Sequence, residues 1–157
     1  MKSRRAVGYD YRNPGAYFIT INTYGKRDIF GTVHDGMVFH NQYGRIVLDE
    51  WKRIADVRDN VQVAECVVMP DHFHGILDIL PYRQIRAGTA EFTLRAGSLG
   101  AIIGQFKSRV TKKIMAKSEN PHFKVWQINY HDHIIQSPAD RQRIREYIWN
   151  NPSQFNP

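Results

Sequence analysis

Cys66-Val67-Val68-Met69-Pro70-Asp71-His72-Phe73-His74-Gly75-Ile76-Leu77-Asp78-Ile79-Leu80 is two apolar runs broken by a Pro-Asp pair. Proline and aspartate favour a turn, and the flanking residues suit a pleated, half-buried surface. The stretch predicts two antiparallel strands, Val61 to Met69 and Phe73 to Leu80, joined across Pro70-Asp71. Side chains alternate between the faces of a strand, so His72 and His74 project one way and Phe73 the other. Two imidazoles on one rigid face are a start for a metal site. They are equally the composition of an ordinary strand, and the pair by itself does not choose.

A second signal lies near the end of the chain. Ser137-Pro138-Ala139-Asp140 has the features of a helix start: a capping serine, a proline in the first turn and an acid at the capping-box position. Pro152 predicts a helix end near Asn151, because the residue before a proline disfavours helical geometry. Ile144, Tyr147, Ile148 and Asn151 follow the spacing of one helical face, so Tyr147 and Asn151 are expected to point inward together. A tyrosine packed by its ring and an asparagine ending the helix would produce the same pattern.

Outward from these two stretches, Ala16 to Tyr24 reads as a strand. Gly36-Met37-Val38-Phe39 suits a short strand or hairpin arm, and residues 41–57 have a helical rhythm through Ile46, Val47, Trp51 and Ile54. Residues 81–97 have no clear period and read as a long loop. Ser98 can cap a second helix with Leu99, Ile102, Ile103, Phe106, Val110 and Ile114 on its buried stripe. Trp126 to Ile135 reads as a further strand. Strand pairs separated by helices predict an α+β fold, with one antiparallel sheet and helices packed against it.

At 157 residues the chain is the size of one domain, taken here as 1–157. A single cysteine, Cys66, excludes an internal disulfide and fits a reducing compartment. No apolar run is long enough to span a bilayer and no signal-peptide core follows the basic opening Met1-Lys2-Ser3-Arg4-Arg5, so the expected location is cytoplasmic. Residues 1–80 contain 10 Lys/Arg and 10 Asp/Glu, whereas residues 81–157 contain 12 and 5. The whole excess of +7 lies in the second half, which favours an anionic partner. Lys107, Arg109, Lys112 and Lys113 on the second helix are the candidate phosphate-binding face, although a solvated helix face has the same composition.

Met69-Pro70-Asp71-His72-Phe73-His74-Gly75 followed by Tyr147-Ile148-Trp149-Asn150-Asn151-Pro152 resembles the REP-associated tyrosine transposases and their small insertion-sequence relatives. These belong to the HUH single-tyrosine nucleases, where U is a bulky hydrophobic residue. Tyr9-Asp10-Tyr11, Pro14-Gly15-Ala16-Tyr17-Phe18, Phe106-Lys107-Ser108, Val125-Trp126-Gln127 and Asp132-His133-Ile134-Ile135 extend the resemblance over nearly the whole chain. Gln136 stands where such proteins often have arginine, and His131 where an aromatic is usual, so a phosphate contact near position 136 is not carried over.

The resemblance implies a ferredoxin-like sheet, Tyr147 as nucleophile, and His72, His74 and Asn151 as ligands of a divalent metal ion, Mg or Mn. It implies a single-stranded DNA endonuclease and strand transferase, a transposase, acting through a 5′-phosphotyrosine and a free 3′-hydroxyl. The partner would be single-stranded or hairpin DNA, with the protein a monomer or homodimer. Three other readings stay open: a replication initiator or relaxase-type nickase, a four-ligand metal site or paired-histidine phosphoesterase that uses His131-Asp132-His133 as a second pair, and a single-stranded nucleic-acid binding module without catalysis.

Overall fold

The structure is a computed structural model that describes residues 8–10, 14–81 and 97–156. Most of the expected 81–97 loop, the basic opening residues and Tyr11 lie outside the described residues. Six strands and three helices follow in chain order: β1 (Gly15–Asn22), β2 (Gly31–His34), β3 (Met37–His40), α1 (Gln42–Asp56), β4 (Val61–Val68), β5 (His72–Ile79), α2 (Leu99–Lys117), β6 (His131–Ile135) and α3 (Pro138–Gln154). The main sheet has the order β4-β5-β1-β6 with every pair antiparallel. This is the ferredoxin-like βαββαβ arrangement expected, with a β2–β3 hairpin inserted before α1 and α3 added after β6.

The period of two in the strands divides the molecule into two apolar layers. Tyr17, Ile19 and Ile21 of β1 and Phe73, Leu77 and Ile79 of β5 pack with Trp51 of α1 and with Leu99, Ile102, Phe106 and Val110 of α2. On the opposite face Ile76 of β5 packs with Ile144 and Ile148 of α3, flanked by Phe18, Ala64, Val67 and Ile135. In β4 the register shifts between Val63 and Cys66, where Ala64 and Glu65 face a single partner position. That bulge lets Val61, Val63, Cys66 and Val68 all join the larger core despite the change of parity. Burial pushes the Cys66 thiol up to about 11, so it behaves as a packing residue.

The helix starts form as the capping residues dictate. Asn41 Oδ1 accepts from the Tyr43 and Gly44 amides at the head of α1, and Ser98 Oγ accepts from the Ala101 amide at the head of α2. Ser137 Oγ accepts from the Asp140 amide at 3.1 Å, with Pro138 in the first turn of α3.

Two expectations fail for identifiable reasons. The last helix does not end at Asn151 but continues through Pro152 to Gln154. A proline this close to a helix end removes one late hydrogen bond, and the Ser153 hydroxyl donates to the Asn150 carbonyl at 2.8 Å in the same turn. The strand expected from Trp126 to Ile135 begins only at His131. Trp126 makes an isolated bridge to Thr23, and the chain then turns outward until Ile128 is 94% exposed. The Lys107 ammonium donates to the Gln127 and Ile128 carbonyls at 2.6 and 3.0 Å, taking the place of strand pairing there.

Gly75 sits in β5 on the face turned to the α1/α2 layer, under the rings of Trp51 and Phe73. A Cβ there would lie 2.6 Å from the Trp51 ring and 2.7 Å from the Phe73 ring. Both rings are buried and cannot swing away, so Gly75→Ala is expected to destabilise the fold by about 1–3 kcal/mol. Chemical denaturation with an unchanged m-value checks it; wild-type stability would show that the ring packing is looser than these contacts require.

Candidate functional site

The α3 layer carries the site. His72 and His74 project from the face of β5 that also holds Ile76, as the alternation requires. Their ring centroids are 4.7 Å apart at 69°. Register then supplies what the sequence does not display. Thr20 of β1 lies opposite His74, and its hydroxyl meets His74 Nδ1 at 2.8 Å. Phe18, two residues earlier on the same face, stacks on the His74 ring at 5.3 Å. Asp71, in the turn before β5, meets His72 Nδ1 at 2.5 Å.

Each imidazole is therefore fixed through Nδ1. Carboxylate and hydroxyl partners of this kind orient ligating histidines and leave Nε2 as the outward donor. Burial, then the charges of His72 and Lys26, bring His74 down to about 3, so its imidazole is neutral and keeps a lone pair. Burial works against the Asp71 carboxylate, but the hydrogen bond and charge of His72, aided by Lys26, outweigh it and hold the group below its ordinary range.

The third element is α3. Arg141 makes a two-pronged contact with Asp78 of β5 at 2.8 and 2.9 Å, and Arg145 pairs with Glu65 of β4 at 2.6 Å. With Ile144 and Ile148 seated on Ile76, these contacts fix the rotation of the helix. Asn151 is buried as expected, and its Oδ1 lies 3.1 Å from His72 Nε2. Tyr147 corrects the expectation of an inward position: it is 46% exposed. Its ring stands at the rim, 5.2 Å from the His74 ring and 6.0 Å from Phe18. The reason lies in the helix itself, since the sheet-facing line runs through Ile144, Ile148 and Asn151 and leaves Tyr147 at its edge.

The donor set fits a hard divalent cation. Neighbouring ligands on an octahedral ion, each at about 2.1 Å, lie about 3 Å apart, which matches the 3.1 Å between His72 Nε2 and Asn151 Oδ1. With the His72 Nδ1 proton directed at Asp71, both of these atoms can present lone pairs to one cation. Among the described residues no group of three or more His, Cys, Asp or Glu can hold a metal, so any such site depends on the amide. The four-ligand alternative is overturned by the same finding. β1 separates the strand of His72 and His74 from that of His131 and His133, and two strand spacings, about 10 Å, exceed what one ion can bridge. His133 Nε2 instead meets Asp140 Oδ2 at 2.9 Å, beside the start of α3.

The four basic residues of α2 do not form one surface. Lys113 pairs with buried Glu50 of α1. Arg109 acts electrostatically on Arg58, whose guanidinium donates to Gln105 at 2.6 Å. Lys107 and Lys112 instead line a groove on the other side of the helix, where the Lys107 ammonium is engaged by the two carbonyls described above. Asp71, Thr20, Phe18 and Lys26 were missed as site residues. Asp71 adjoins the histidine motif and was within reach of sequence reasoning; the others depend on strand register and a turn.

No family model matches the chain. An uncharacterised protein of Haemophilus influenzae (strain Rd) is 35% identical over 159 residues, spanning 96% of this chain and 87% of that protein. The fold is similar to that of a REP-associated tyrosine transposase bound to a REP hairpin, with a TM-score of 0.64, 17% identity, and coverage of 98% of this chain and 74% of the other. It is also similar to a transposase candidate from Deinococcus radiodurans R1, with a TM-score of 0.55, 18% identity, and coverage of 96% and 97%. Among the described residues no helix is long and apolar enough to cross a membrane.

The buried imidazole has a consequence for stability. His74 protonates near 3 in the fold and near 6.5 when exposed, so between these values the unfolded chain binds the extra proton. Its stabilising contribution is complete above about 6.5 and is lost as pH falls toward 3. Urea midpoints of chelator-treated protein should fall across this window, and His74→Gln should flatten the dependence. An unchanged slope in that variant would remove His74 as the cause.

Proposed function

We propose that this chain, which belongs to one family with the Haemophilus influenzae protein and has the fold of the tyrosine transposases, is a metal-dependent transposase that cuts and rejoins single-stranded DNA through Tyr147. The observation that carries the reading is the convergence of Tyr147 over His74 with Asn151 Oδ1 at 3.1 Å from His72 Nε2. Nucleophile and amide donor leave α3 one helical turn apart, so one rigid element delivers both to the two histidines. The structural neighbour bound to a REP hairpin supports hairpin or single-stranded DNA as the substrate class.

The half-exposed position of Tyr147 suits a nucleophile that must reach a polymer, since a buried hydroxyl would be closed to a DNA strand. In the proposed step Tyr147 Oη gives up its proton as it attacks phosphorus, the bond from phosphorus to the 3′-oxygen breaks, and the 3′-oxygen leaves and takes up a proton, so that none is gained or lost overall. The phosphotyrosine retains an ester bond, so attack by another 3′-hydroxyl can reseal the strand without ATP. His72, His74 and Asn151 would hold a divalent ion, Mg or Mn, which supplies positive charge to the phosphate oxygens. Asp71 and Thr20 orient the two imidazoles, while Phe18 and His74 hold the tyrosine ring.

Tyr147→Phe keeps the ring contacts and removes the hydroxyl. It should abolish a covalent adduct with labelled hairpin oligonucleotides while leaving their binding unchanged. Peptide mapping of the wild-type adduct to another tyrosine, such as Tyr130, would overturn the assignment, and binding without any adduct would favour a non-catalytic module.

Asn151→Ala should weaken Mn²⁺ binding roughly tenfold or more and slow cleavage, with DNA affinity retained. Asn151→Asp should preserve metal binding, because a carboxylate oxygen replaces the amide oxygen. If Asn151→Ala lowers only the unfolding temperature, Asn151 is a helix-end residue and not a ligand.

A further inference from the structure

On the α2 side of the sheet, across from the face that carries His72 and His74, lies a groove of about 580 Å³ between α2 and the segment 123–127. Its apolar floor includes Met115, Phe123 and Val125, and Ser108, Thr111 and Gln127 offer hydrogen-bonding groups. Lys107, Lys112 and Lys124 line it, and no acidic residue does. Next to it, the Arg27 guanidinium lies 5.2 Å from the Phe123 ring and 5.7 Å from the Tyr24 ring, while Lys124 Nζ lies 4.8 Å from Tyr24. Arg27 also donates to the Lys124 and Tyr24 carbonyls at 2.6 and 3.1 Å. These contacts hold two cations in place along the rim, so little side-chain freedom is lost when an anion arrives.

The groove is connected to the histidines through the backbone. Tyr24 and Gln127 donate their amides to Val125 and Asn22, and the Thr23 amide donates to the Asp71 carbonyl. The three-residue turn Tyr24–Lys26 carries Tyr24 beside the groove and Lys26, whose charge reaches Asp71 and His74. Segment 125–127 is therefore about two strand spacings, ~10 Å, from the strand of His72.

We propose that this groove seats an unpaired nucleotide of the DNA strand that enters the Tyr147 site, with its base on Met115 and Phe123 and its flanking phosphates on Lys112 and Lys124. The volume suits one nucleotide-sized ligand. The chemistry is that of single-strand binding, in which an aromatic or apolar surface takes the base and lysines track the backbone. The choice of DNA rests on the strand-transferase reading; the cationic, apolar groove does not.

The test compares a hairpin oligodeoxynucleotide carrying a single-stranded flank with the same hairpin made blunt. Affinity is measured across a salt series for wild type, for the double variant Lys112→Ala/Lys124→Ala, and for Thr111→Trp, which fills the groove without changing charge. Both variants should bind the flanked hairpin about tenfold more weakly and the blunt hairpin nearly as wild type. The double variant should also reduce the salt slope by about 2. With 5-iodouracil placed along the flank, one position should photo-crosslink to Phe123 or Tyr24. Equal losses on both hairpins, wild-type affinity in both variants, or crosslinks that map elsewhere would overturn the groove as a nucleotide site. Tighter binding and stronger crosslinking of RNA of the same sequence would overturn DNA as its ligand. Adduct formation on Tyr147 is followed in parallel: its absence with groove binding intact refutes the cleavage chemistry alone, whereas normal adducts with insensitive groove variants refute the groove alone.

Discussion

β5 has to satisfy two cores at once, and the rest of the molecule is arranged around that requirement. Phe73, Leu77 and Ile79 enter the layer shared with α1 and α2, while Ile76 meets Ile144 and Ile148 of α3. A slip of one residue would exchange these sets and turn both histidines into the larger apolar core. Burial on both faces therefore does more than stabilise the strand. It pins the register that sets Thr20 opposite His74 and leaves His72 facing α3.

The charged contacts between α3 and the sheet act on this framework as positioning devices. Arg141 with Asp78 and Arg145 with Glu65 tie the helix to two neighbouring strands. The apolar cluster beneath is small, three buried isoleucines with a few partly buried neighbours. Partly exposed ion pairs add little energy in general, yet two at different positions along one helix restrict its rotation and sliding. Tyr147 and Asn151 inherit their places over the histidines from that restriction. The basic residues of α2 show the opposite case, in which one helix face is divided between an ion pair toward α1 and a groove toward segment 123–127.

Much of the fold was legible because its signals are local. Ser98 and Ser137 cap helices where their hydroxyls were expected to, and the buried stripe from Leu99 to Ile114 follows the helical period without exception. The Pro70-Asp71 turn between two apolar runs led directly to the β4–β5 hairpin. Local rules misled where a tertiary contact replaced the usual partner. Lys107 occupies carbonyls that would otherwise have extended β6, whereas Pro152 falls in the last turn of α3, where only one helical hydrogen bond is lost.

The sequence by itself determined most of the elements, though not the end of α3 or the start of β6, together with the shared face of His72 and His74 and the one-turn spacing of Tyr147 and Asn151, because each follows from the periods of strand and helix. Only the tertiary structure decided that these two faces meet, since strand order, register and helix docking arise from contacts between distant residues. It also decided that Tyr147 stands half exposed at the rim while Asn151 is buried beside His72. Helical spacing specifies which residues lie near one line, but where the sheet ends beneath that line is a property of the assembled layers.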